Sequence, residues 1–207
     1  RRMNFWSLLL KILGWKIYGE NFISPRSVIA VAPHTSYLDG VIGFIAMKAM
    51  KIRFRTISAE RLFFFPFKYV MKFALNAIPC GPRSGNSIRV ATKMFKENDD
   101  VNLVICPEGH LKAVDKWSKG FYVIAKMSCV PINIAVLNFK KKEIHIFGPF
   151  DTKDFDIDTM FREINEDIEM FGEARHPEKY LPHSLPMERQ SLRVGFHNFE
   201  DCDVNES

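Results

Sequence analysis

The chain has 207 residues, of which 47% are hydrophobic, so it is long enough to bury a core and too apolar to be a disordered chain. Its length fits one α/β domain with an appended tail. The four cysteines include no C-x-x-C pair, which excludes a disulfide framework and a cysteine-built zinc site and indicates a reducing compartment.

The net charge of +5 is unevenly distributed along the chain. Residues 1–75 carry +9, residues 76–150 carry +5 and residues 151–207 carry −9. A basic, phenylalanine-rich front half suits an anionic membrane surface. Nucleic acid is the second possible partner, but no nucleic-acid-binding motif accompanies the charge, so we expect none.

Two apolar stretches are candidates for membrane contact. The stretch 5–15 is interrupted by Lys11 and is shorter than the ~20 residues of a spanning helix, and no cleavage site of a signal peptide follows it. The stretch 62–78 contains a proline and two lysines. We therefore expect both to lie in the membrane interface of a peripheral protein on the cytoplasmic side. The alternative is that both are core helices of a soluble domain.

From residue 27 onward, strand and helix patterns alternate. This alternation predicts an α/β fold with a mostly parallel central sheet and helices on both faces. We expect an interfacial amphipathic helix over 1–18, the α/β domain over 19–190 and a disordered acidic tail over 191–207. The predicted strands are 27–32, 53–57, 101–106, 131–137 and 143–147, the helices 40–50, 62–77, 87–96, 118–127 and 158–171, and the loops 81–86 and 175–186.

The sharpest local pattern runs from His34 to Asp39, directly after the first buried strand. On one regular strand or helix these two side chains point in different directions, so they can meet only if the chain turns between them. We expect His34 at the end of the strand and Asp39 in the first turn of the next helix, at the mouth of the sheet. A carboxylate on one imidazole nitrogen leaves the other to take a proton from an alcohol. The alternative is a surface loop whose histidine pairs with nothing.

Three weaker patterns follow along the chain. Arg83 in a glycine-containing loop suits a phosphate, although such an arginine often binds only water. Glu108 and Gly109 follow another buried strand, where a carboxylate beside a glycine suits the close approach of a substrate hydroxyl. Pro131 opens a strand after a helix. The six histidines are scattered, so we predict no metal site.

Taken in this order, the four patterns resemble the four sequence blocks of the glycerolipid acyltransferases. The similarity is greatest to a compact bacterial-type branch of the 1-acyl-glycerol-3-phosphate acyltransferases, and it covers about residues 14–148. Residues 14–17 and 117–125 also look like that branch. The resemblance implies transfer of a fatty acyl group from acyl-CoA or acyl carrier protein to the hydroxyl of a lysophospholipid, with no cofactor.

The resemblance also implies a role for each singled-out residue. Acyl transfer from a thioester needs no covalent enzyme intermediate, because the thioester is already activated; it needs a base and the positioning of two substrates. On this basis His34 is the base, Asp39 orients it, Arg83 holds the acceptor phosphate, Glu108 and Gly109 hold the glycerol part, and Pro131 shapes the site near the acyl chain.

Two departures from the family pattern leave the acceptor open. His110 and Leu111 stand where the third block usually continues with threonine and then arginine or serine, and the second block is about one residue longer before Arg83. The first alternative is therefore a lipid-binding or membrane-tethering protein that has lost catalysis, or an enzyme for another lyso-acceptor. A hydrolase with Ser36 as nucleophile is a further alternative, but the sequence has no nucleophile elbow.

Overall fold

The computed structural model describes residues 4–59, 77–80 and 84–185, and this part of the chain forms seven strands and five α-helices. Two short 3₁₀ helices, Glu20–Phe22 and Pro177–Lys179, lie in connecting segments. The strands are Lys16–Tyr18 (β1), Ser27–Ala32 (β2), Phe54–Ala59 (β3), Ala77–Cys80 (β4), Asn102–Ile105 (β5), Ile132–Asn138 (β6) and Glu143–Phe150 (β7). The helices are Phe5–Ile12 (α1), Tyr37–Met50 (α2), Ser84–Glu97 (α3), Gly120–Ser128 (α4) and Ile157–Phe171 (α5).

The strands form one sheet in the order β1-β7-β6-β2-β5-β3-β4, and every neighbouring pair is parallel except β6 with β7. This confirms the predicted α/β class with a mostly parallel sheet. Because β2, β3, β4, β5 and β6 run in the same direction, their carboxyl ends meet at one edge, which we call the carboxyl edge. Loops at this edge are where open α/β sheets bind ligands.

Helices cover both faces of the sheet, as predicted. Alternate residues of β2 point to opposite sides: Val28, Ala30 and Ala32 pack in a cluster with α3, α4 and α5, while Ile29 and Val31 pack in a second cluster with α1 and α2. All residues of β2 and β6 are buried. The near-continuous apolar runs in these two central strands follow from burial on both faces.

Several predicted elements differ from the structure. The strands β1 and β4 were not predicted because they have only three and four residues and no clear alternation. Helix α3 begins at Ser84, so the predicted loop 81–86 is wrong in its second half. That part was predicted as loop because glycine and asparagine have weak helix propensity. The predicted helix 62–77 is wrong at Ala77, which belongs to β4, and its other residues lie outside the described part, as does the acidic tail 191–207.

The N-terminal helix α1 is shorter than the segment 1–18 predicted for it. The carbonyl oxygen of the Asn4 side chain accepts the backbone N–H of Ser7 at 2.7 Å and so caps the helix start. After the helix, Gly14 has a φ of 80°, and the chain turns into β1 at the sheet edge. None of the helices that the structure describes is long and apolar enough to cross a membrane.

Candidate active site

The loops that follow β2 and β5 lie side by side at the carboxyl edge, since these two strands are parallel neighbours. The first loop carries His34 and the second carries Glu108. The carboxylate oxygen Oε1 of Glu108 accepts the backbone N–H of His34 at 2.9 Å, so the two loops are tied together directly. The structure thus brings two of the predicted blocks into contact, although 74 residues separate them.

His34 and Asp39 meet as expected, across the turn from β2 into α2. The imidazole Nδ1 of His34 lies 3.3 Å from Oδ2 of Asp39, whose side chain is buried. Their alignment is poor for a hydrogen bond, because Nδ1 has no well-directed partner; catalytic contacts often tighten only when substrate binds. The Asp39 contact leaves Nε2 as the ring nitrogen able to take a proton.

The Asp39 carboxylate is held in place by the start of α2. Oδ2 accepts the backbone N–H groups of Thr35 at 2.6 Å and Ser36 at 2.8 Å, and Oδ1 accepts the Ser36 hydroxyl at 2.8 Å. Burial alone would raise the pKa of Asp39, but the contact with His34 and the hydrogen bonds from Ser36 outweigh it and hold that pKa below its ordinary value. Asp39 therefore stays ionised and can orient and stabilise a protonated imidazole.

The Ser36 hydroxyl is committed to the helix start. It caps α2 by accepting the backbone N–H of Leu38 at 3.1 Å, while it donates to Asp39. A serine whose hydroxyl donates to a carboxylate and accepts a helix N–H is poorly suited to attack a substrate. The structure therefore gives no support to the hydrolase alternative.

Cys106 is a neighbour of His34 that the sequence patterns did not single out. Burial lowers the pKa of His34, but its contacts with Cys106 and Asp39 raise it more, so the pKa of His34 lies above its ordinary value. The signal for Cys106 in the sequence was its place directly before the block that contains Glu108.

Glu108 is a buried carboxyl group whose surroundings disfavour its ionised form. Burial raises its pKa, the N–H bond and the charge of His34 lower it, and the charge of Asp39 raises it again, which gives a pKa of about 7. Gly109, next to it, is exposed, has a φ of 69° and has open space beside its Cα. This backbone conformation favours glycine and leaves room for a ligand near the carboxyl.

Of the other two predicted site residues, Pro131 lies away from His34 and Arg83 is outside the described residues. Pro131 precedes β6, and its carbonyl oxygen accepts the backbone N–H of Val28 at the start of β2. Six residues of chain separate Val28 from His34, or roughly 20 Å at strand spacing. The structure therefore places Pro131 at the opposite edge of the sheet from His34, because parallel strands β2 and β6 begin there. Its role near the acyl chain stays a prediction. Arg83 lies outside the described residues, between the carboxyl end of β4 and the start of α3.

We expect Glu108→Gln to stabilise the protein at high pH. The pKa of about 7 in the folded protein exceeds the ordinary value of 4.5 that the unfolded chain has. The stability that Glu108 contributes is therefore complete below pH 4.5 and is lost as the pH rises through 7. The loss amounts to about 3 kcal/mol, and glutamine avoids it because it does not ionise. Urea unfolding at pH 4.5 and pH 8 should therefore show an advantage of the variant that grows with pH. Glu97→Gln changes an exposed helical residue and is the control; its stability relative to the wild type should not depend on pH. If the advantage of Glu108→Gln did not increase with pH either, the result would contradict a buried, ionisable Glu108.

Comparison with known proteins identifies the family of the chain. A sequence profile of the acyltransferase family matches residues 15–138, which is more than half of the chain. The chain belongs to the acyltransferase family. The matched range includes His34, Asp39 and Glu108, and it confirms the resemblance drawn from the sequence blocks.

A solved structure shares the fold of this acyltransferase. The crystal structure of PlsC, a 1-acyl-sn-glycerophosphate (LPA) acyltransferase from Thermotoga maritima, aligns with a TM-score of 0.56 at 19% sequence identity. The alignment covers 80% of this chain and 74% of PlsC. No curated protein sequence matches the chain.

Proposed function

We propose that the protein transfers a fatty acyl group from a thioester donor, acyl-CoA or acyl carrier protein, to the hydroxyl of a lysophospholipid. The preferred acceptor is 1-acyl-glycerol-3-phosphate, and the product is phosphatidic acid. The observation that carries this proposal is the His34–Asp39 pair at the carboxyl edge of an acyltransferase-family fold, 3.3 Å apart. The shared fold with PlsC, whose name states the same acceptor, supports the choice of acceptor.

The reaction follows from the positions of these side chains. Nε2 of His34 takes the proton of the acceptor hydroxyl while the oxygen attacks the thioester carbonyl. The carbon–sulfur bond then breaks, and the imidazolium gives its proton to the departing thiolate. Asp39 stabilises the imidazolium between these two steps, and because Asp39 is itself fixed by three hydrogen bonds, the ring needs little reorientation.

The test of this function is a product assay with purified protein in detergent. Labelled palmitoyl-CoA and palmitoyl acyl carrier protein are offered separately with lysophosphatidate, lysophosphatidylcholine and lysophosphatidylethanolamine. We expect diacyl product with lysophosphatidate above the other acceptors. A preference for another lyso-acceptor would overturn the acceptor assignment, and the donor that supports turnover identifies the co-substrate.

One observation favours the second candidate function, a lipid-binding protein without catalysis. His110 and Leu111 replace the usual third-block residues directly after Gly109. If acceptor lipids bind but no diacyl product forms with any donor in the same panel, this second function replaces the first. The geometry of His34 and Asp39 itself gives no reason to expect lost catalysis, since the two side chains lie 3.3 Å apart.

We further propose that α1 attaches the protein to the cytoplasmic face of a membrane. Phe5, Leu8 and Ile12 lie on one side of this helix at spacings of three and four residues and are 68%, 43% and 72% exposed. Helix α1 packs on α2, whose Tyr37 and Val41 are also exposed beside the active-site loop. Exposed apolar side chains on a basic segment suit insertion into an anionic lipid interface. Of the second predicted contact, 62–78, only Ala77 and Ile78 are described, and they belong to β4.

We expect Ile12→Glu to weaken binding to vesicles that contain anionic lipid. The carboxylate would enter the interface beside Phe5 and Leu8, and it would also repel anionic headgroups. Co-sedimentation with anionic and neutral vesicles, at low and high salt, measures the effect. Met127→Glu is the matched control, because Met127 is 62% exposed but lies on α4, which covers the other face of the sheet.

Two results would contradict the proposed attachment. Equal loss of binding in the two variants would show that α1 is not the membrane contact. Equal binding of the wild type to neutral and anionic vesicles at low salt would show that its basic charge does not contribute.

A further inference from the structure

The segment that follows α5 returns to the carboxyl edge and crosses the active-site loops. We call residues 173–185 the strap. Its first residue is fixed at the end of β6, where the backbone of Glu173 donates to Leu137 and accepts from Phe139. Further along, the backbone N–H of His176 donates to the hydroxyl oxygen of Thr35 at 3.2 Å, and Thr35 is buried next to His34. The strap thus touches the loop that carries the base.

The far end of the strap is fixed to the loop that carries Glu108. The backbone N–H of Trp117 donates to the imidazole Nδ1 of His183 at 2.9 Å, and the indole N–H of Trp117 donates to the Leu181 carbonyl at 3.3 Å. The Ser184 hydroxyl donates to the carbonyl of Asp115 at 2.7 Å. Because the strap is bonded to both loops, the stretch between His176 and Leu181 connects the loop that carries His34 to the loop that carries Glu108.

Tyr180 lies in this stretch and is half-buried against Trp117, with ring centroids 6.3 Å apart. Burial raises the pKa of the Tyr180 hydroxyl, and the negative charge of Glu108 raises it further. The hydroxyl therefore keeps its proton and acts as a hydrogen-bond donor, while the neighbouring Glu108 carboxylate is an acceptor. A hydroxyl donor near a carboxylate acceptor matches a ligand hydroxyl, which can accept from one and donate to the other.

We propose that the strap is the acceptor-side wall of the active site, and that Tyr180 determines acceptor specificity by binding, together with Glu108, a hydroxyl of the acceptor's polar headgroup. The acceptor rather than the donor is assigned here because Glu108 is bonded to the backbone of His34, the residue that must reach the reacting hydroxyl. This inference rests on the proposed acyl transfer to a lysophospholipid. It lies outside the family match, which ends at residue 138.

The test is steady-state kinetics of Tyr180→Phe with acceptor and donor varied separately. Phenylalanine keeps the ring against Trp117 and removes only the hydroxyl. Loss of one neutral hydrogen bond should raise the acceptor KM about 3- to 10-fold, with the donor KM and kcat nearly unchanged. Tyr18→Phe, on the edge strand β1 away from the site, is the matched control and should behave as the wild type.

Each other outcome overturns the inference in a distinguishable way. An unchanged acceptor KM, with the wild type active on lysophosphatidate, would leave the proposed function intact and remove Tyr180 from the acceptor site. A raised donor KM instead would place the strap on the donor side. A fall in kcat accompanied by a lower melting temperature would show that Tyr180 is only structural. A wild type inactive with every lyso-acceptor would contradict the proposed function itself, and this inference with it.

Discussion

His34→Ala should lower kcat/KM for acyl transfer by at least about 100-fold, the smallest loss expected when a general base is removed. Alanine leaves the fold around it intact, because His34 side-chain atoms make no contribution to the sheet and the Glu108 bond is to the backbone N–H. Rates with saturating donor and varied lysophosphatidate measure the loss. A variant that kept more than about a tenth of the wild-type rate would show that His34 is not the base.

The pairing of His34 with Asp39 is tested by combining substitutions. Asp39→Asn keeps a carbonyl oxygen for the cap of α2 while it removes the charge that stabilises the imidazolium. Because the two residues act as a unit, the double variant should be about as inactive as His34→Ala alone. His145→Ala is the matched control, since His145 Nε2 lies 3.1 Å from Glu143 in a second histidine–carboxylate pair on β7, and its loss should leave the rate unchanged.

Arg83→Lys should reduce kcat/KM for a phosphorylated acceptor by roughly 10- to 150-fold, the value of one charge-assisted contact to phosphate. Lysine keeps the charge but cannot reproduce the two parallel N–H donors of the guanidinium. The loss should occur mainly in the acceptor KM, with the donor KM unchanged. Paired kinetics with lysophosphatidate and palmitoyl-CoA measure both constants in the same preparation.

Arg89→Lys, an exposed arginine on α3, is the control for a general effect of exchanging arginine for lysine. If the donor KM rises in Arg83→Lys, the arginine binds the phosphates of the donor and the acceptor assignment is wrong. If neither constant changes, the longer second block has removed Arg83 from the site. The acceptor then need not carry a phosphate at all.

The parts of the site that depend on local chain geometry could be predicted from the sequence. The buried run 27–32 is β2 with the predicted bounds. The side chains of His34 and Asp39, five residues apart, meet across a strand-to-helix turn as predicted. Both follow from side-chain periodicity and from the preference of a carboxylate for a helix start. The position of Glu108 beside this pair followed only from the family resemblance, because the order of parallel strands is not encoded locally.

The contacts that the sequence did not predict join residues far apart in the chain. His176 is 141 residues from Thr35, and Leu181 is 64 residues from Trp117, so no local pattern marks either bond. The distance of Pro131 from His34 could not be predicted for a related reason: Pro131 opens a strand, and only the parallel register shows that strand openings lie at the edge opposite His34. The short strands β1 and β4 obtain their stability from pairing with neighbours rather than from their own residues.

The most direct test of the central claim is the release of CoA thiol from palmitoyl-CoA, followed with and without lysophosphatidate. Acyl transfer with His34 as base predicts release only when the acceptor is present, with one phosphatidic acid formed per thiol, and neither product with His34→Ala. Thiol release at the same rate without acceptor would show a thioesterase, and no release with any lyso-acceptor would show a binding protein; either result would contradict the account.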